Sequence, residues 1–343
     1  MFDLRAMDAK PVNQKKWLGL SLGLFVGFAF AFAGVTWMNN GTAPSEPGES
    51  FYVRWESRSF ESAVNELVQK GVVKDANAFL FRAKIERQQQ PIADGTYEFE
   101  PGMDFDKVIL NMRKPLSTMV RIPEGWWIAR VAKRLEEKQV CKADEYIKLA
   151  NNPDEFKDAV SFTLPEESLE GYLYPDTYDL PPLLGARATI KRQLQAFQSK
   201  VVDELGEEEL ERAVNVGSMI ELEAALDEER PIIAGVIENR IKQGMRLQLD
   251  ATVLYALQEW KQLGPGVVNT VDSPYNTYRI AGLPPGPIGS PSFRSIEAAL
   301  NPAAHDKLYY VARPNRSHYF SRTYDEHRAN INKARKEFAE TNQ

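Results

Sequence analysis

The sequence predicts an α+β protein that begins with one apolar helix and continues into a small and a larger domain. Residues 17–38 contain no charged side chain, which is typical of a membrane-spanning helix. Downstream, segments with helical periodicity alternate with short strand-like segments. The length of 343 residues accommodates an anchor and two domains, because domains usually contain about 100–200 residues.

The N-terminal segment predicts a transmembrane anchor. The run LGLSLGLFVGFAFAFAGVTW is long enough, at about 1.5 Å per residue, to cross a hydrocarbon layer of about 30 Å. Basic residues outnumber acidic ones before the run, and the only charged residues in 39–50 are acidic. The positive-inside rule therefore places the N-terminus in the cytoplasm. The alternative is a cleavable signal peptide, since Ala31-Phe32-Ala33 fits a cleavage site. The apolar run continues beyond that site, which favours the anchor.

The remaining chain predicts two folded domains. Ser59 is a candidate N-cap for an amphipathic helix that ends at Gly71, and a strand is expected at 96–99. Helical segments are expected at 186–205 and 207–226, before a loop-rich C-terminal third. The predicted organisation is a cytoplasmic basic tail (1–16), a transmembrane helix (17–38), a linker (39–50), a small α+β domain (51–115) and a larger mixed domain (116–343).

Composition and missing motifs exclude several classes of function. The formal net charge is −6, without the basic surface that phosphate contacts require, so we expect no nucleic-acid partner. The lone Cys141 allows no intrachain disulfide and suggests no metal framework. The sequence has no G-x-S-x-G, no H-E-x-x-H and no Gly-rich phosphate loop. Carboxylates remain, and they suit glycoside chemistry, in which an acid protonates the leaving oxygen.

The candidate acid is one member of the pair Glu221 and Glu223. On a helix these positions lie about 200° apart, so only one of them can enter a cleft. Glu223 follows the apolar residues Val216, Met219 and Ile220 on its face. Partial desolvation there would raise the pKa of Glu223 and retain the proton that a general acid needs. The alternative is that both are solvated helix glutamates.

Several long stretches occur together and in order. They are SMIELEAALDEERPIIAGVIENRIKQGMRLQLDATVLYAL and SPYNTYRIAGLPPGPIGSPS, with the shorter GTYEF, RIPEG, LEGYLYPDTY and HYFSRTYDEH. The set resembles the signature of the endolytic murein transglycosylase (YceG-like) family, whose members are membrane-anchored bacterial enzymes that cleave peptidoglycan strands. The resemblance covers about residues 50–335.

The resemblance implies a membrane helix, a LysM-like domain at 51–115 and a catalytic domain at 116–343. It assigns Glu223, the second acid of an E-x-E pair, as the group that protonates the glycosidic oxygen between N-acetylmuramic acid and N-acetylglucosamine. Glu223 would then act as base while the muramyl 6-hydroxyl closes a 1,6-anhydro ring. No metal or cofactor is implied. The expected location is the bacterial inner membrane, with a single span and a periplasmic catalytic domain.

Other matching positions are candidates for the saccharide cleft. Their amide, carboxyl and phenol groups suit hydrogen bonds to sugar hydroxyl and acetamido groups, although a structural role in turns or loops is an equal alternative for each. Asn239 and Arg240 are expected to anchor a helix to the Gly- and Pro-rich loop at 282–286, with a substrate contact by Arg240 as the alternative. The candidate substrate-binding residues are Gln248, Asp250, Asn276, Tyr278 and Glu170.

Two other functions remain open from the sequence. One is a lysozyme-like hydrolase with Asp250 as a second carboxylate and water as acceptor. The other is a non-catalytic peptidoglycan-binding scaffold of cell-wall synthesis. The family resemblance also implies that cleavage could terminate nascent strands beside peptidoglycan synthases.

Overall fold

The computed structural model describes residues 14–41, 48–264 and 266–341, with side chains in the first range from residue 23 to residue 39. The chain divides into two compact units, Met1–Leu116 and Ser117–Gln343. Residues 1–13 of the predicted tail and 42–47 of the predicted linker lie outside the described residues, as do the side chains of residues 17–22 in the predicted span. Among the residues described, no helix meets the length and apolarity needed for a membrane crossing.

The first unit packs helices against one antiparallel strand pair. Ser59 caps its first amphipathic helix by accepting a hydrogen bond from the Ser62 N–H at 3.2 Å. The two strands place Trp55 opposite Gly95, and the core is formed by rings including Trp55 and Tyr97. The first strand was not predicted from the sequence. The elements are α1 (Gln14–Gly41), β1 (Phe51–Trp55), α2 (Phe60–Gln69), α3 (Ala76–Ile85), β2 (Gly95–Phe99) and α4 (Phe105–Arg113).

The second unit is mainly helical and has two short antiparallel strand pairs, β3 with β4 and β5 with β6. Helices with small strand pairs in both units confirm the α+β class. The elements of the second unit are β3 (Met119–Arg121), α5 (Ile128–Glu137), α6 (Ala143–Ala150), β4 (Thr177–Asp179), α7 (Ala186–Phe197), α8 (Asp203–Leu205), α9 (Leu210–Glu223), α10 (Arg230–Lys242), α11 (Asp250–Leu257), α12 (Val267–Thr270), α13 (Phe293–Leu300), β5 (Tyr309–Ala312), β6 (His318–Ser321) and α14 (Tyr324–Thr341).

Helix α9 forms the centre of the second unit. Every residue from Ala213 to Ile220 is buried, so the helix is covered on all sides rather than along one stripe. Helix α13 crosses it closely at Gly217, where an added Cβ would lie 3.2 Å from the backbone of Ile296. The close approach of these helices holds the C-terminal end of α9, and therefore Glu223, in a fixed position.

The β5–β6 hairpin is attached to helix α10 by side chains that bind its backbone. Asn239 Nδ2 donates to the His305 and Lys307 carbonyls at 2.8 and 3.1 Å. Arg240 Nε donates to the Leu308 carbonyl at 2.6 Å. Both side chains therefore act as anchors, but they bind the segment just before β5 rather than the loop at 282–286 that was expected from the sequence.

Candidate active site

Glu223 is the last residue of α9, and the residue as a whole is half-buried. Its Oε2 accepts a hydrogen bond of 3.0 Å from the phenol of Tyr310 on β5. Burial raises the pKa of Glu223, and the nearby Asp250 carboxylate raises it further. The Tyr310 hydrogen bond, His318 and Arg240 act in the opposite direction without cancelling the rise. Glu223 therefore has a strengthened hold on its proton, as a general acid requires.

Glu221 has a different environment from Glu223. Its side chain is only 8% exposed and forms an ion pair with Arg230 at 3.2 Å. Its Oε2 also accepts from the Ser292 N–H at 2.9 Å and from the Ser295 hydroxyl at 2.8 Å. These bonds join α9 to the start of α13. Because its oxygen atoms are committed inside the protein, Glu221 is a structural carboxylate.

Asp250 and Tyr278 form a second polar group beside Glu223. Asp250 is the exposed first residue of α11, and its Oδ1 accepts a hydrogen bond of 2.6 Å from the Tyr278 phenol. Burial, Asp250 and the nearby Glu223 together raise the pKa of Tyr278. The phenol thus remains a hydrogen-bond donor at neutral pH. The structure brings these two predicted residues into the electrostatic neighbourhood of the candidate acid.

Gln248 lies at the edge of this group. It is exposed and adopts a left-handed backbone conformation with φ of 52°. Its N–H donates to the Thr277 carbonyl at 3.2 Å, which fixes the turn that enters α11. The side chain of Gln248 is therefore presented to solvent two residues before Asp250.

Asn276 lies beneath the site surface. It is fully buried, and its Nδ2 donates to the Val268 and Val271 carbonyls, each at 2.8 Å. Its Oδ1 accepts from the Tyr278 N–H at 3.0 Å. The amide is therefore used to tether the loop that carries Tyr278, which favours the structural alternative for Asn276.

Glu170 belongs to a separate buried cluster. It is 6% exposed, and its two carboxyl oxygens lie 3.2 and 3.1 Å from the Ile128 N–H at the start of α5. The Tyr255 phenol also donates to it at 3.4 Å. Burial raises the pKa of Glu170 to about 8. These contacts favour a structural role for Glu170 over a substrate contact.

Arg240 lies behind the candidate acid and also binds backbone. Besides the Leu308 carbonyl, it donates through Nη1 to the Leu247 carbonyl at 2.5 Å. Its guanidinium lies 5.4 Å from the ring centre of Tyr309. Arg240 thus joins β5 to the turn that precedes α11. Within the described part of the chain, no cluster of three or more His, Cys, Asp or Glu side chains could hold a metal ion.

Comparison with known proteins places this architecture in a family. A sequence model described as the YceG-like family matches residues 55–333. The chain belongs to the YceG-like family. The crystal structure of a yceG-like protein from Listeria monocytogenes shares 32% sequence identity with it, with a TM-score of 0.55. The match covers 82% of this chain and 98% of that chain.

Curated relatives of this YceG-like protein carry one name, "Endolytic murein transglycosylase". The relative from Bacillus subtilis is 31% identical over 303 residues, which cover 82% of this chain and 83% of the relative. A relative from Streptococcus pneumoniae is 28% identical over 301 residues and is matched over 77% of this chain. The match covers 54% of that longer relative, so the chain spans about half its length.

Tyr310 is the residue of this YceG-like protein that the sequence did not identify as part of the site. It lies 87 residues beyond Glu223 and reaches the carboxyl only through the packing of the hairpin on α10. The strand alternation around Tyr310 signals a hairpin but carries no information about which carboxylate its phenol meets.

Proposed function

We propose that this protein is an endolytic murein transglycosylase, a carbon–oxygen lyase that acts on peptidoglycan, with Glu223 as its catalytic acid and base. The observation that carries the proposal is the carboxyl of the half-buried Glu223, with its raised pKa and its hydrogen bond from Tyr310. The shared name of the curated relatives supports the reaction class. The substrate is the glycan strand of peptidoglycan.

In the first step, protonated Glu223 donates its proton to the glycosidic oxygen between N-acetylmuramic acid and N-acetylglucosamine. The bond from this oxygen to the muramyl anomeric carbon breaks through an oxocarbenium-like transition state. The departing N-acetylglucosamine retains the proton as a hydroxyl group. Glu223 is left ionised, and the Tyr310 hydrogen bond stabilises that form.

In the second step, ionised Glu223 takes the proton from the muramyl 6-hydroxyl as its oxygen attacks the anomeric carbon. A 1,6-anhydro ring closes, and Glu223 regains the proton that it donated. Asp250 and Tyr278 are placed to bind hydroxyl or acetamido groups of the sugars, and Gln248 borders the same group. The chain supplies each proton transfer through the single carboxyl group of Glu223.

The reaction is tested with full-length protein and purified glycan strands, followed by mass spectrometry of the released ends. Glu223→Gln keeps the side-chain shape but removes the titratable proton, and Glu337→Gln is the matched control on α14. We expect internal cuts with 1,6-anhydromuramyl ends, lost only in Glu223→Gln. Hydrated reducing ends would instead indicate a hydrolase with Asp250 as second carboxylate. Intact strands bound equally by all three proteins would indicate a scaffold.

We also propose that residues 17–38 anchor the protein in the inner membrane, with the N-terminus cytoplasmic and the catalytic domain periplasmic. The uncharged run and its basic N-terminal flank support this placement. The test compares full-length protein with a variant lacking residues 1–38 after alkaline washing of membranes. Retention of the full-length protein alone is expected. If expression of the complete sequence instead yields a shortened chain that is released from the membranes, the segment is a cleaved signal peptide.

We further propose that residues 51–115 form a LysM-like module that binds glycan and that residues 116–343 form the catalytic domain. The family resemblance and the separate aromatic core of the small unit support this division. Such binding would keep the enzyme on nascent strands and let cleavage end their elongation beside peptidoglycan synthases. Sedimentation with purified peptidoglycan in detergent tests the module. With Glu223→Gln present to prevent cleavage, a chain lacking residues 51–115 should sediment less than the full-length chain.

A further inference from the structure

A buried carboxyl–imidazole pair lies next to the tyrosine that binds Glu223. Glu229 precedes α10, and its Oε2 lies 2.6 Å from Nδ1 of His318 on β6. The His318 backbone N–H also donates to Glu229 Oε1 at 2.9 Å. The two side chains are 9% and 7% exposed. One carboxylate thus holds both the backbone and the ring of His318.

The ring of His318 packs against Tyr310. In the β5–β6 register Tyr310 is opposite Phe320 and Ala312 is opposite His318, so these side chains share one face of the hairpin. The His318 ring meets the Tyr310 ring edge-on, with centroids 5.4 Å apart. Phe320 lies 6.1 Å from the same ring. Tyr310 is therefore enclosed by two rings while its phenol reaches Glu223.

The location of the pair indicates a role beyond stability. Burying a carboxyl group and an imidazole costs desolvation, and apolar side chains of similar volume often stabilise a core equally well. A fixed carboxylate, in contrast, sets the orientation of an imidazole ring. Here the oriented ring contacts Tyr310, whose phenol donates to the candidate acid.

We propose that the buried Glu229–His318 pair positions Tyr310 and, through it, the catalytic carboxyl of Glu223. This inference rests on the proposed function. Glu229 and His318 act as positioning residues, because they affect the reaction through Tyr310. The substrate class that depends on this arrangement is the same peptidoglycan glycan strand.

The expected effect on Glu223 has a definite sign. Its electrostatic surroundings are Tyr310 and His318 on the hairpin, Arg240 on α10, Asp250 on α11 and Tyr278. His318 and the Tyr310 hydrogen bond both lower the pKa of Glu223. Loosening this side of the site therefore raises the pKa of Glu223. Because Glu223 must be protonated to act as acid, the alkaline limb of kcat/KM moves to higher pH.

The test variant is Glu229→Gln in the full-length protein. Glutamine retains an oxygen for the His318 N–H but removes the charge that holds the ring. Displacing a reacting group by a fraction of an ångström to 1 Å reduces rates by about 10- to 100-fold, so we expect kcat to fall about 10-fold. KM should stay within about twofold, because neither member of the pair is placed to bind substrate.

The matched control is Glu337→Gln. Glu337 pairs with Arg313 at 3.2 Å and accepts from the Tyr319 phenol at 2.5 Å, on the opposite face of the same hairpin. It stabilises the hairpin without contacting Tyr310. Its pH profile should superimpose on that of the wild type. Equal changes in both variants would reduce the role of Glu229 to general hairpin stability and overturn the proposal.

A readout independent of activity separates this inference from the proposed function. Titration of 13C-labelled glutamate carboxyl groups by NMR reports Glu223 directly, with its resonance assigned by its absence in Glu223→Gln. A higher titration midpoint in Glu229→Gln supports positioning even if no strand is cleaved by the wild type, whereas an unchanged midpoint refutes it. If Glu229→Gln fails to fold, His318→Asn keeps a donor for Glu229 but removes the ring that packs on Tyr310; it must then raise the midpoint, and an unchanged midpoint refutes the proposal.

Discussion

Replacement of Glu170 by glutamine is expected to stabilise the protein at alkaline pH. The carboxyl is 6% exposed and accepts hydrogen bonds from the Ile128 N–H and the Tyr255 phenol. Burial raises its pKa from 4.5 to about 8. Glutamine has nearly the same shape, retains an oxygen for the Ile128 N–H and carries no charge. The substitution therefore removes the cost of ionisation and preserves most of the packing.

The magnitude follows from the difference between the folded and unfolded pKa values of Glu170. Below pH 4.5 the carboxyl is protonated in both states, so its ionisation costs no stability. As the pH rises toward 8, the unfolded chain loses this proton while the folded chain retains it, and the free energy of unfolding decreases. At about 1.4 kcal/mol per pH unit, the loss reaches roughly 4–5 kcal/mol at pH 8. Glu170→Gln should recover most of that amount at pH 8 and little at pH 4.5.

Urea unfolding of the full-length protein, followed by tryptophan fluorescence at pH 4.5, 6 and 8, measures this difference. Glu166→Gln is the control, because Glu166 is an exposed carboxylate of the same segment. Its unfolding free energy should follow that of the wild type at each pH. If Glu170→Gln stabilises the protein equally at every pH, or less as the pH rises, Glu170 is not a buried carboxyl group with a raised pKa. Cleavage of glycan strands should persist in Glu170→Gln, since this carboxyl is structural.

Three further predictions follow from single contacts. Tyr310→Phe removes a hydrogen bond that lowers the pKa of Glu223. The alkaline limb of the kcat/KM profile should therefore move to higher pH. An unchanged limb in a series of pH values would contradict this prediction. Glu221→Gln should cost about 2 kcal/mol in urea unfolding, because it removes one of the two carboxylates that pair with the largely buried Arg230 and weakens the bonds to Ser292 and Ser295; an unchanged midpoint would exclude an anchoring role. Gly171→Ala should cost at least about 2 kcal/mol, measured by thermal unfolding, because φ is +85° and an added Cβ would lie 2.7 Å from packed side chains. A melting temperature equal to that of the wild type would show that the loop relaxes freely.

Elements with strong local signals were predicted well from the sequence. The capping side chain of Ser59 and the apolar spacing after it locate α2, and α10 follows the Arg230-Pro231 start that favours a helix. Strands β1 and β4 and helices α6, α11, α12 and α13 were not predicted. The short β1 is completed by pairing with β2, which lies about 40 residues further along the chain, and such distant pairing leaves little local pattern.

The candidate site was predicted in part. The sequence indicated Glu223 over Glu221 from the residues on each helix face, but the structure shows that α9 is buried all round, so the faces differ little in burial. The difference arises from what lies opposite each carboxyl: two serines and Arg230 for Glu221, and Tyr310 for Glu223. Asn276 and Glu170 carry polar groups that suit a cleft, yet both are committed to buried hydrogen bonds.

The sequence by itself determined the kind of chemistry and the family resemblance, because residue types, missing motifs and ordered motifs are properties of the linear chain. It also determined where amphipathic helices form, since capping and periodicity act over a few residues. Only the tertiary structure decided that Tyr310 contacts Glu223 and that His318, held by Glu229, packs against Tyr310. These partners lie on segments almost 90 residues apart. Packing of the hairpin on α10 brings them together, and burial then sets the pKa of the carboxyl.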